Sequence, residues 1–389
     1  MRDSFNRYTK EITQADLERL FTRETPEAYR YFARDIDHAE LAALPWYRRY
    51  PRFGKQFFMA FAMRLSPARR ALYGVSVAAL FLGCFELFRG AGVARALVGP
   101  FEIRFIVPAL ADGAGWLIVA FLLLNLLVMM EVADRLSLKN ELEIARDIQL
   151  AMLPAATWSD GSASAAGVTR PANTVGGDFY DALPLSDGRV LIALGDVAGK
   201  GSPAALLMAL LLAMMRTLAD ENLAPAALMR RLNIQIFRHS PRSRFITAFL
   251  AAFDPATGEL EWVNAGHLPP MIFRADGTID RDTFRDGGSL ALGMFEAADY
   301  DSRRARLGPG DALVLYSDGL TEAENAAGEP FEDAGVDAVI ARHGVADPAS
   351  LGRALITAVE TYAGGTRIID DLTVLSLVRH AGAFARPGV

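Results

Sequence analysis

The sequence predicts an α+β globular domain with antiparallel sheets, preceded by two transmembrane helices and a helical linker. Three observations carry this prediction. Two long apolar runs with few charges lie in the first third of the chain. A charged helical stretch follows them, and strand-length apolar runs dominate the middle of the remaining chain. The helical stretches there come in pairs rather than alternating with strands, which is typical of α+β folds.

Length, charge and cysteine content narrow the class of protein. At 389 residues the chain is long for one ordinary domain, so two or three parts are expected. The formal net charge of -6 and the lack of a basic-aromatic platform give no reason to expect a nucleic-acid partner. Cys84 is the only cysteine, which rules out a disulfide within the chain and fits a reducing compartment. A cysteine phosphatase is also excluded, because Cys84 and Arg89 belong to an apolar helix that would not stabilise a thiolate.

Residues 1–70 form a polar, charged region of unknown role, which we expect to be cytoplasmic. Helical patches are predicted at 13–22 and 26–38, and the region has no cleavable-signal layout. A small helical cap, a partly ordered tail and a sensing module all remain open. Seven basic residues and no acidic residue lie between positions 46 and 70, so residues 53–65 are a candidate amphipathic helix on a membrane surface.

Two apolar runs predict transmembrane helices at about 71–88 and 114–130. The first run carries only Glu86 and the second has no charge, and each approaches the ~20 residues that cross a bilayer. A buried core helix is the alternative for the first run. Arginines precede the first run, and Arg135 and Lys139 follow the second, so the positive-inside rule puts both ends in the cytoplasm. The expected location is the inner (cytoplasmic) membrane, with a short external loop between the two spans.

A helical linker is predicted over residues 131–154. Its apolar positions fall near a heptad seam, at Leu138, Leu142, Ala145 and Met152. Gln149 interrupts this seam, and Pro154 ends the helix. The seam favours a parallel homodimer, and the alternative is a single amphipathic helix packed on the next domain. Residues 155–167, which are small and polar, are predicted to be a linker.

The globular domain is predicted over residues 168–380. Helices are expected at 203–218, 224–237, 335–343 and 348–362. Strands are expected at 190–194, 245–253, 260–264, 271–274, 312–316 and 372–378. Glycine, proline and aspartate supply hairpin signals between several of these strands. The almost wholly apolar run at 203–215 is too short for a third span, and a helix buried between sheet and helix explains it better.

Four acidic residues recur at the edges of apolar strands. Asp196 follows a buried strand and precedes a glycine-rich loop, and Asp178, Asp318 and Asp370 occupy similar positions. A lone aspartate of this kind is more often a turn residue or a helix cap than a ligand. Four of them together, with Asp371 beside the last, indicate a shared site. Carboxylates without histidine or cysteine ligands favour Mg²⁺ or Mn²⁺ over zinc.

Two nucleotide-binding motifs resemble parts of this sequence, and neither is matched in full. Only three residues separate Gly195 from Gly199, and Gly201 stands where a P-loop needs its metal-binding hydroxyl. The stretch that begins at Gly176 reads GGDF, whereas the diguanylate cyclase signature has glutamate after its aspartate. Neither class of nucleotide-binding site is expected.

Five motifs occur in the order GGDFYD, GDVAGKG, NAGH, YSDGLTEA and DDLT. This order resembles that of the PPM-type (protein phosphatase 2C-like) serine/threonine phosphatases, in their bacterial SpoIIE-like, RsbU-like branch. The resemblance covers about residues 142–379. It implies an α-β-β-α sandwich of two antiparallel sheets flanked by helices, with two divalent cations, Mn²⁺ or Mg²⁺, at one edge of the paired sheets.

The resemblance also implies a set of metal ligands, namely Asp178, Asp196, Val197, Asp318, Asp370 and Asp371. Asp196 would bridge both cations, and the carbonyl of the next residue would bind one of them. Asp178 would join the second cation, whereas Asp318 and Asp370 would hold the first. Asp371 is the weaker candidate of the final pair. The catalytic set is therefore the four acids without Asp371.

The implied activity is hydrolysis of phosphoserine or phosphothreonine on a phosphoprotein, such as an anti-sigma-factor antagonist, within a signalling pathway. Two cations that share Asp196 would lower the pKa of a bridging water and clamp the phosphate, so no protein nucleophile is needed. Animal-type relatives have an arginine where this chain has Thr174, and Arg170 is a weak substitute. His267 either touches the site or supports its strand-end loop. A catalytically silent membrane scaffold is the alternative function, which the loss of one acid would indicate.

Overall fold

The computed structural model describes residues 41, 44–89, 92–98, 101–107, 110–154, 158–241, 243–345 and 347–381. The helical patches predicted at 13–22 and 26–38 lie outside the described residues. The chain divides into two compact units, Met1–Ser137 and Leu138–Val389.

In its described residues, the first unit has two helices, a hairpin and the start of a long third helix. The elements are α1 Trp46–Arg64, α2 Pro67–Arg89, β1 Gly92–Val98, β2 Phe101–Val107 and α3 Leu110–Met152, which continues into the second unit. Helix α1 begins before the amphipathic helix expected at 53–65. Strands β1 and β2 pair antiparallel along their whole length. The segment between the two predicted spans therefore contains a hairpin, which the sequence did not indicate.

Two stretches that include the predicted spans, Pro67–Arg89 and Gly113–Met152, are helical, long enough and apolar enough to cross a membrane. They approach each other closely, because a Cβ atom at Gly113 would lie 2.5 Å from the Gly83 carbonyl oxygen. Small residues at a helix crossing allow such an approach. A third helix that is long and apolar enough by the same criteria, Ser202–Ala219, belongs to the second unit.

The second unit contains two sheets. Their strands are β3 Trp158–Ser159, β4 Ala163–Arg170, β5 Phe179–Pro184, β6 Val190–Val197, β7 Ile246–Phe253, β8 Glu259–Ala265, β9 Met271–Phe273, β10 Ile279–Asp280, β11 Arg303–Arg306, β12 Ala312–Tyr316 and β13 Leu372–Arg379. The orders are β10-β9-β12-β13-β4-β3 in the six-stranded sheet and β11-β8-β7-β6-β5 in the five-stranded sheet. All pairings between these named strands are antiparallel, as predicted.

Helices cover the outer faces of both sheets. They are α4 Ser202–Ala219, α5 Pro225–His239, α6 Asp318–Thr321, α7 Glu332–His343 and α8 Pro348–Ala363. Helices α4 and α5 pack on the five-stranded sheet, and α8 packs on β4 and β13. One core cluster joins both sheets to α4 through buried side chains such as Met208, Trp262 and Leu313. The α-β-β-α sandwich that the resemblance implied is therefore confirmed, and α4 contributes to its core.

The segment predicted as a linker at 155–167 is partly a strand, so that prediction was wrong. Strand β4 pairs with β13 along its whole length, and Ala163 and Ala165 are fully buried. Its small side chains have low strand propensity, which is why the sequence indicated a linker. Close packing against the other sheet restricts the size of at least one of these residues, because a Cβ atom at Gly167 would lie 2.2 Å from the Tyr180 ring.

The last turns of α3 pack on the sandwich of the same chain. Gln149, the residue that interrupts the heptad seam, is only 6% exposed, and Leu153 is also buried. Ile144 and Ile148 on the same helix are exposed. These turns thus follow the second alternative, an amphipathic helix packed on the next domain. The homodimer stays a prediction.

Candidate metal centre

Four strand ends carry the acids that the sequence singled out. In the five-stranded sheet, Asp196 is the last residue but one of β6, and Asp178 directly precedes the neighbouring β5. In the six-stranded sheet, Asp318 begins α6 just after β12, and Asp370 lies just before β13, which pairs with β12. The sheets therefore contribute two acids each.

Burial and the charges of neighbouring acids raise the pKa values of three of these carboxyl groups. Burial, followed by the charges of Asp196 and Asp371, raises the pKa of Asp178 well above its usual range. Burial, followed by the charges of Asp318 and Asp370, raises the pKa of Asp196 to about 7. Burial and then the charge of Asp370 raise the pKa of Asp318. Carboxylates crowded in this way are stabilised by a nearby positive charge.

One carboxylate oxygen in this cluster has no partner. Asp178 is 4% exposed, and its Oδ2 atom makes no hydrogen bond. The preceding residue, Gly177, keeps a space open in front of two more oxygens. A Cβ atom at Gly177 would lie 3.0 Å from Asp196 Oδ1 and 3.0 Å from the Val197 carbonyl oxygen. Any side chain larger than hydrogen would fill this space.

These residues fit a hard divalent cation by their chemistry. In the described part of the chain, no three histidine, cysteine, aspartate or glutamate side chains converge as the ligands of one ion. The oxygens of Asp178, Asp196 and the Val197 carbonyl are nevertheless the donor type that Mg²⁺ and Mn²⁺ bind, and such ions commonly complete their shell with water. The unpaired Oδ2 atom of Asp178 agrees with this reading.

Asp371 differs from its neighbour Asp370, because its carboxylate is used by the backbone. Asp371 Oδ1 accepts a hydrogen bond from Ala172 N at 2.8 Å, and its Oδ2 accepts one from Gly177 N at 2.7 Å. Asp371 is buried, whereas Asp370 is half-buried. Asp371 therefore holds the loop that carries Asp178, a role that the sequence did not indicate.

The end of α3 contacts the same loop. Gln149 Nε2 donates to the Gly176 carbonyl at 2.7 Å, and Gly176 N donates back to Gln149 Oε1 at 3.1 Å. Arg216 in α4 donates to the Met152 carbonyl at 2.6 Å and pairs with the buried Asp181 at 2.7 Å. Two polar contacts thus fix the helix end, one of them on the backbone of the acidic loop.

The loop that contains His267 has a supporting role. Asn264 Oδ1 accepts from His267 N at 2.8 Å, and Asn264 Nδ2 donates to the His267 carbonyl at 2.9 Å. Burial lowers the pKa of His267 to about 4, so the imidazole is neutral at pH 7. Its ring is hydrogen bonded to Thr247 at 3.1 Å, and Thr247 is the partner of Asp196 in the adjoining strand. His267 therefore supports the strand end that carries Asp196.

Lysine and arginine side chains near the cluster differ in what they contact. Lys200 Nζ lies 2.9 Å from Asp370 Oδ2 and donates to the Ile369 carbonyl at 2.5 Å. Arg170, the weak substitute for the arginine of the animal-type relatives, forms an ion pair with Glu360. Its guanidinium therefore contacts a glutamate and not one of the acids in the cluster. Nothing in the sequence indicated the contact between Lys200 and Asp370. The contact of Gln149 with the acidic loop was indicated only by the presence of a polar residue on an apolar seam.

The fold and the acids at one edge of the two sheets define the class of protein. An α-β-β-α sandwich with aspartates from four strand ends is the PP2C-type phosphatase domain. A solved structure of this class, the SiaA-PP2C domain of Pseudomonas aeruginosa, matches with a TM-score of 0.54 and 25% identity over 63% of this chain and 98% of that one. The chain belongs to the SpoIIE family: the family model described as Stage II sporulation protein E (SpoIIE) matches residues 186–380.

Two relatives from Bacillus subtilis (strain 168) are named as phosphoserine phosphatases. Phosphoserine phosphatase RsbU is 30% identical over 191 residues, which are 49% of this chain and 56% of RsbU. Phosphoserine phosphatase RsbP is 27% identical over 192 residues, which are 48% of this chain and 47% of RsbP. The chain thus spans about half the length of these curated relatives.

Proposed function

We propose that this chain is a metal-dependent phosphoprotein phosphatase that hydrolyses phosphoserine or phosphothreonine. It acts in a signalling pathway, on a substrate such as an anti-sigma-factor antagonist. Two spans anchor it in the cytoplasmic membrane, and the phosphatase domain is cytoplasmic. The relatives named phosphoserine phosphatases support the activity. The two apolar helices of the first unit support the anchor.

The observation that carries this proposal is the buried, unpaired Oδ2 atom of Asp178 in a cluster of carboxylates that raise one another's pKa. Buried polar atoms nearly always have a hydrogen-bond partner. An unpaired oxygen among like charges is the arrangement that a cation stabilises, and oxygen ligands alone favour Mn²⁺ or Mg²⁺.

We assign Asp196 to both cations and the Val197 carbonyl to one of them. Asp178 would join one cation, and Asp318 and Asp370 would hold the other. When bound, a pair of such cations activates water and neutralises charge on the phosphoryl group. Activity should therefore depend on added Mn²⁺ or Mg²⁺.

The protein's own residues orient this site and keep it open. Asp371 fixes the loop backbone through Ala172 and Gly177, and so determines where Asp178 lies. Gly177 leaves room beside Asp196. No serine, cysteine or histidine nucleophile is required, because water is the attacking group in this class of reaction.

The test is hydrolysis of p-nitrophenyl phosphate by the full-length protein in detergent micelles, with Mn²⁺ or with EDTA. Asp196→Asn keeps the shape of the side chain and removes its charge, so it should lower kcat/KM by about a thousandfold without unfolding the domain. The matched control is Asp276→Asn, the same change in an exposed turn, which should behave as the wild type. Turnover by Asp196→Asn within a few-fold of the wild type, at saturating Mn²⁺, would show that Asp196 does not bridge the cations.

A catalytically silent scaffold remains the alternative function. All four acids are present, and no observation favours this alternative. It predicts no cation-dependent hydrolysis by the wild type under any of these conditions. If hydrolysis is found, comparing the phosphoproteomes of cells with and without the chain would identify the physiological substrate.

A further inference from the structure

Lys200 lies in a loop whose shape depends on glycine. The loop joins β6 to α4, and the residues on either side of Lys200 have positive φ angles, 101° at Gly199 and 77° at Gly201. Residues other than glycine rarely adopt such angles. The Lys200 side chain reaches Asp370, beside the six-stranded sheet, where its ammonium contacts Asp370 Oδ2 and the Ile369 carbonyl.

The charge of Lys200 opposes the crowding of the acids. Both oxygens of Asp370 already have partners, because Oδ2 pairs with Lys200 and Oδ1 accepts a hydrogen bond from Asp371 N at 3.0 Å. Asp370, an assigned metal ligand, thus already carries a positive partner from the protein.

We propose that Lys200 is a built-in counter-ion of the metal centre, which neutralises Asp370 in the metal-free protein and competes with the divalent cation for it. This inference rests on the proposed function, which assigns Asp370 as a ligand. An ammonium and a divalent cation within a few ångströms repel each other, and one carboxylate does not neutralise both. The Lys200 side chain is 48% exposed, so it can leave Asp370 without opening the core.

Two consequences follow, and they have opposite signs. Lys200 weakens the binding of the cation, because its contact with Asp370 must be broken or shared. Lys200 also stabilises the metal-free protein, because it offsets repulsion between the strand ends. A residue that only oriented Asp370 for coordination would instead strengthen cation binding.

The experiment measures Mn²⁺ binding by isothermal titration calorimetry, using metal-stripped full-length protein in detergent micelles. Lys200→Met keeps the length of the side chain and removes its charge. It should lower the Kd for Mn²⁺ by about threefold to fivefold, the range expected for a partly exposed ion pair. The melting temperature of the same variant without metal should fall by about 1–3 °C.

Two further variants separate direct competition from a general effect of charge. Lys200→Arg retains a cation that can pair with Asp370, so its Kd should stay within about twofold of the wild type. Arg367→Met removes one positive charge close to Asp370 in the sequence, where the guanidinium donates to Asn173 and not to an assigned ligand. Its Kd should also stay within about twofold, because a charge that does not contact the ligand is screened by salt.

An unchanged or higher Kd in Lys200→Met would overturn the counter-ion role. An equal decrease in Arg367→Met would overturn it too, because net charge alone would then explain the effect. If the wild type binds no Mn²⁺, the proposed metal centre is wrong and the inference is wrong with it. Mn²⁺ binding with the same Kd in all four proteins would overturn the inference and leave the proposed function standing.

Discussion

The two adjacent aspartates before β13 should respond in opposite ways to the same substitution. Asp371 is buried, and its two oxygens accept hydrogen bonds from Ala172 N and Gly177 N. Asp370 is half-buried and pairs with Lys200. Replacing either aspartate by asparagine changes one oxygen into an amide group that donates and does not accept.

In Asp371→Asn, one backbone N–H loses its acceptor and faces another donor. Hydrogen bonds to charged groups contribute about 1.5–3 kcal/mol, and a buried donor left unpaired costs about 1–3 kcal/mol. We therefore expect the free energy of unfolding to fall by about 2–4 kcal/mol, or the melting temperature by about 4–16 °C. Asp370→Asn breaks a partly exposed ion pair that contributes at most about 1 kcal/mol, so the melting temperature should change by less than about 4 °C.

The assay pairs thermal unfolding of the metal-free, full-length protein with Mn²⁺ titration of each variant. Asp370→Asn should lose Mn²⁺ affinity at nearly unchanged stability. Asp371→Asn should lose stability, and its Mn²⁺ affinity should fall only as far as the loop around Gly177 shifts. The opposite pattern, a stable Asp371→Asn that no longer binds Mn²⁺, would refute the assignment and make Asp371 the ligand.

Three further predictions concern pH, the linker helix and topology. The pKa of Asp196 is raised from 3.8 to about 7 in the folded protein, so the unfolded chain releases a proton that the folded chain retains between these values. The metal-free protein should therefore lose stability as the pH rises through this range. Its melting temperature in EDTA should be lower at about pH 8 than at about pH 5, and Mn²⁺ should abolish the difference. Equal melting temperatures in EDTA would mean that the carboxylates do not repel one another. One residue inserted after Leu138 turns the rest of helix α3 by ~100°, and seven residues nearly restore the phase. Phosphatase activity in membranes should vary with insert length and recover at seven, whereas a flat series would make the helix a tether only. A reporter fused before Met1 or after Val389 should be active only in its cytoplasmic form, and a periplasmic-type signal from either fusion would contradict the two-span topology.

The local sequence was sufficient for most helices and for the longer strands of the second unit. The predicted strand at 312–316 has the observed bounds Ala312–Tyr316, and the helix predicted at 348–362 is Pro348–Ala363. The sequence was also sufficient to select Asp196 and Asp318, because each follows an apolar run of strand length. These signals are local: an apolar pattern with a period, ended by glycine, proline or an acid.

Strand β4 and strand β5 were missed for different reasons. The small residues of β4 carry no strand signal of their own, and the pairing with β13, more than 200 residues further along the chain, is what makes the segment a strand. In β5, the run Phe179–Pro184 is short and includes Asp181, whose charge is stabilised by Arg216 from α4. In both cases the stabilising contact lies outside the segment itself, with β13 for β4 and with Arg216 for the Asp181 side chain.

The roles of residues around the acids also depended on distant contacts. Local sequence patterns do not distinguish Asp370 from Asp371, which only the family resemblance ranked. The fold gives Asp371 two backbone donors from the loop at 172–177. In the sequence, Gln149 only interrupts a heptad seam, and its role comes from the hydrogen bond to Gly176 in the fold. Lys200 is likewise an ordinary loop residue in the sequence, and only the fold pairs it with Asp370. Periodicity and turn chemistry act over a few residues, so the local sequence determines most of the helices, the longer strands and the acids that end them. Hydrogen bonds and charge pairs form wherever the packed sheets bring groups together, so only the tertiary structure shows that Asp371 supports the loop, and the other acids are the ligands that we propose.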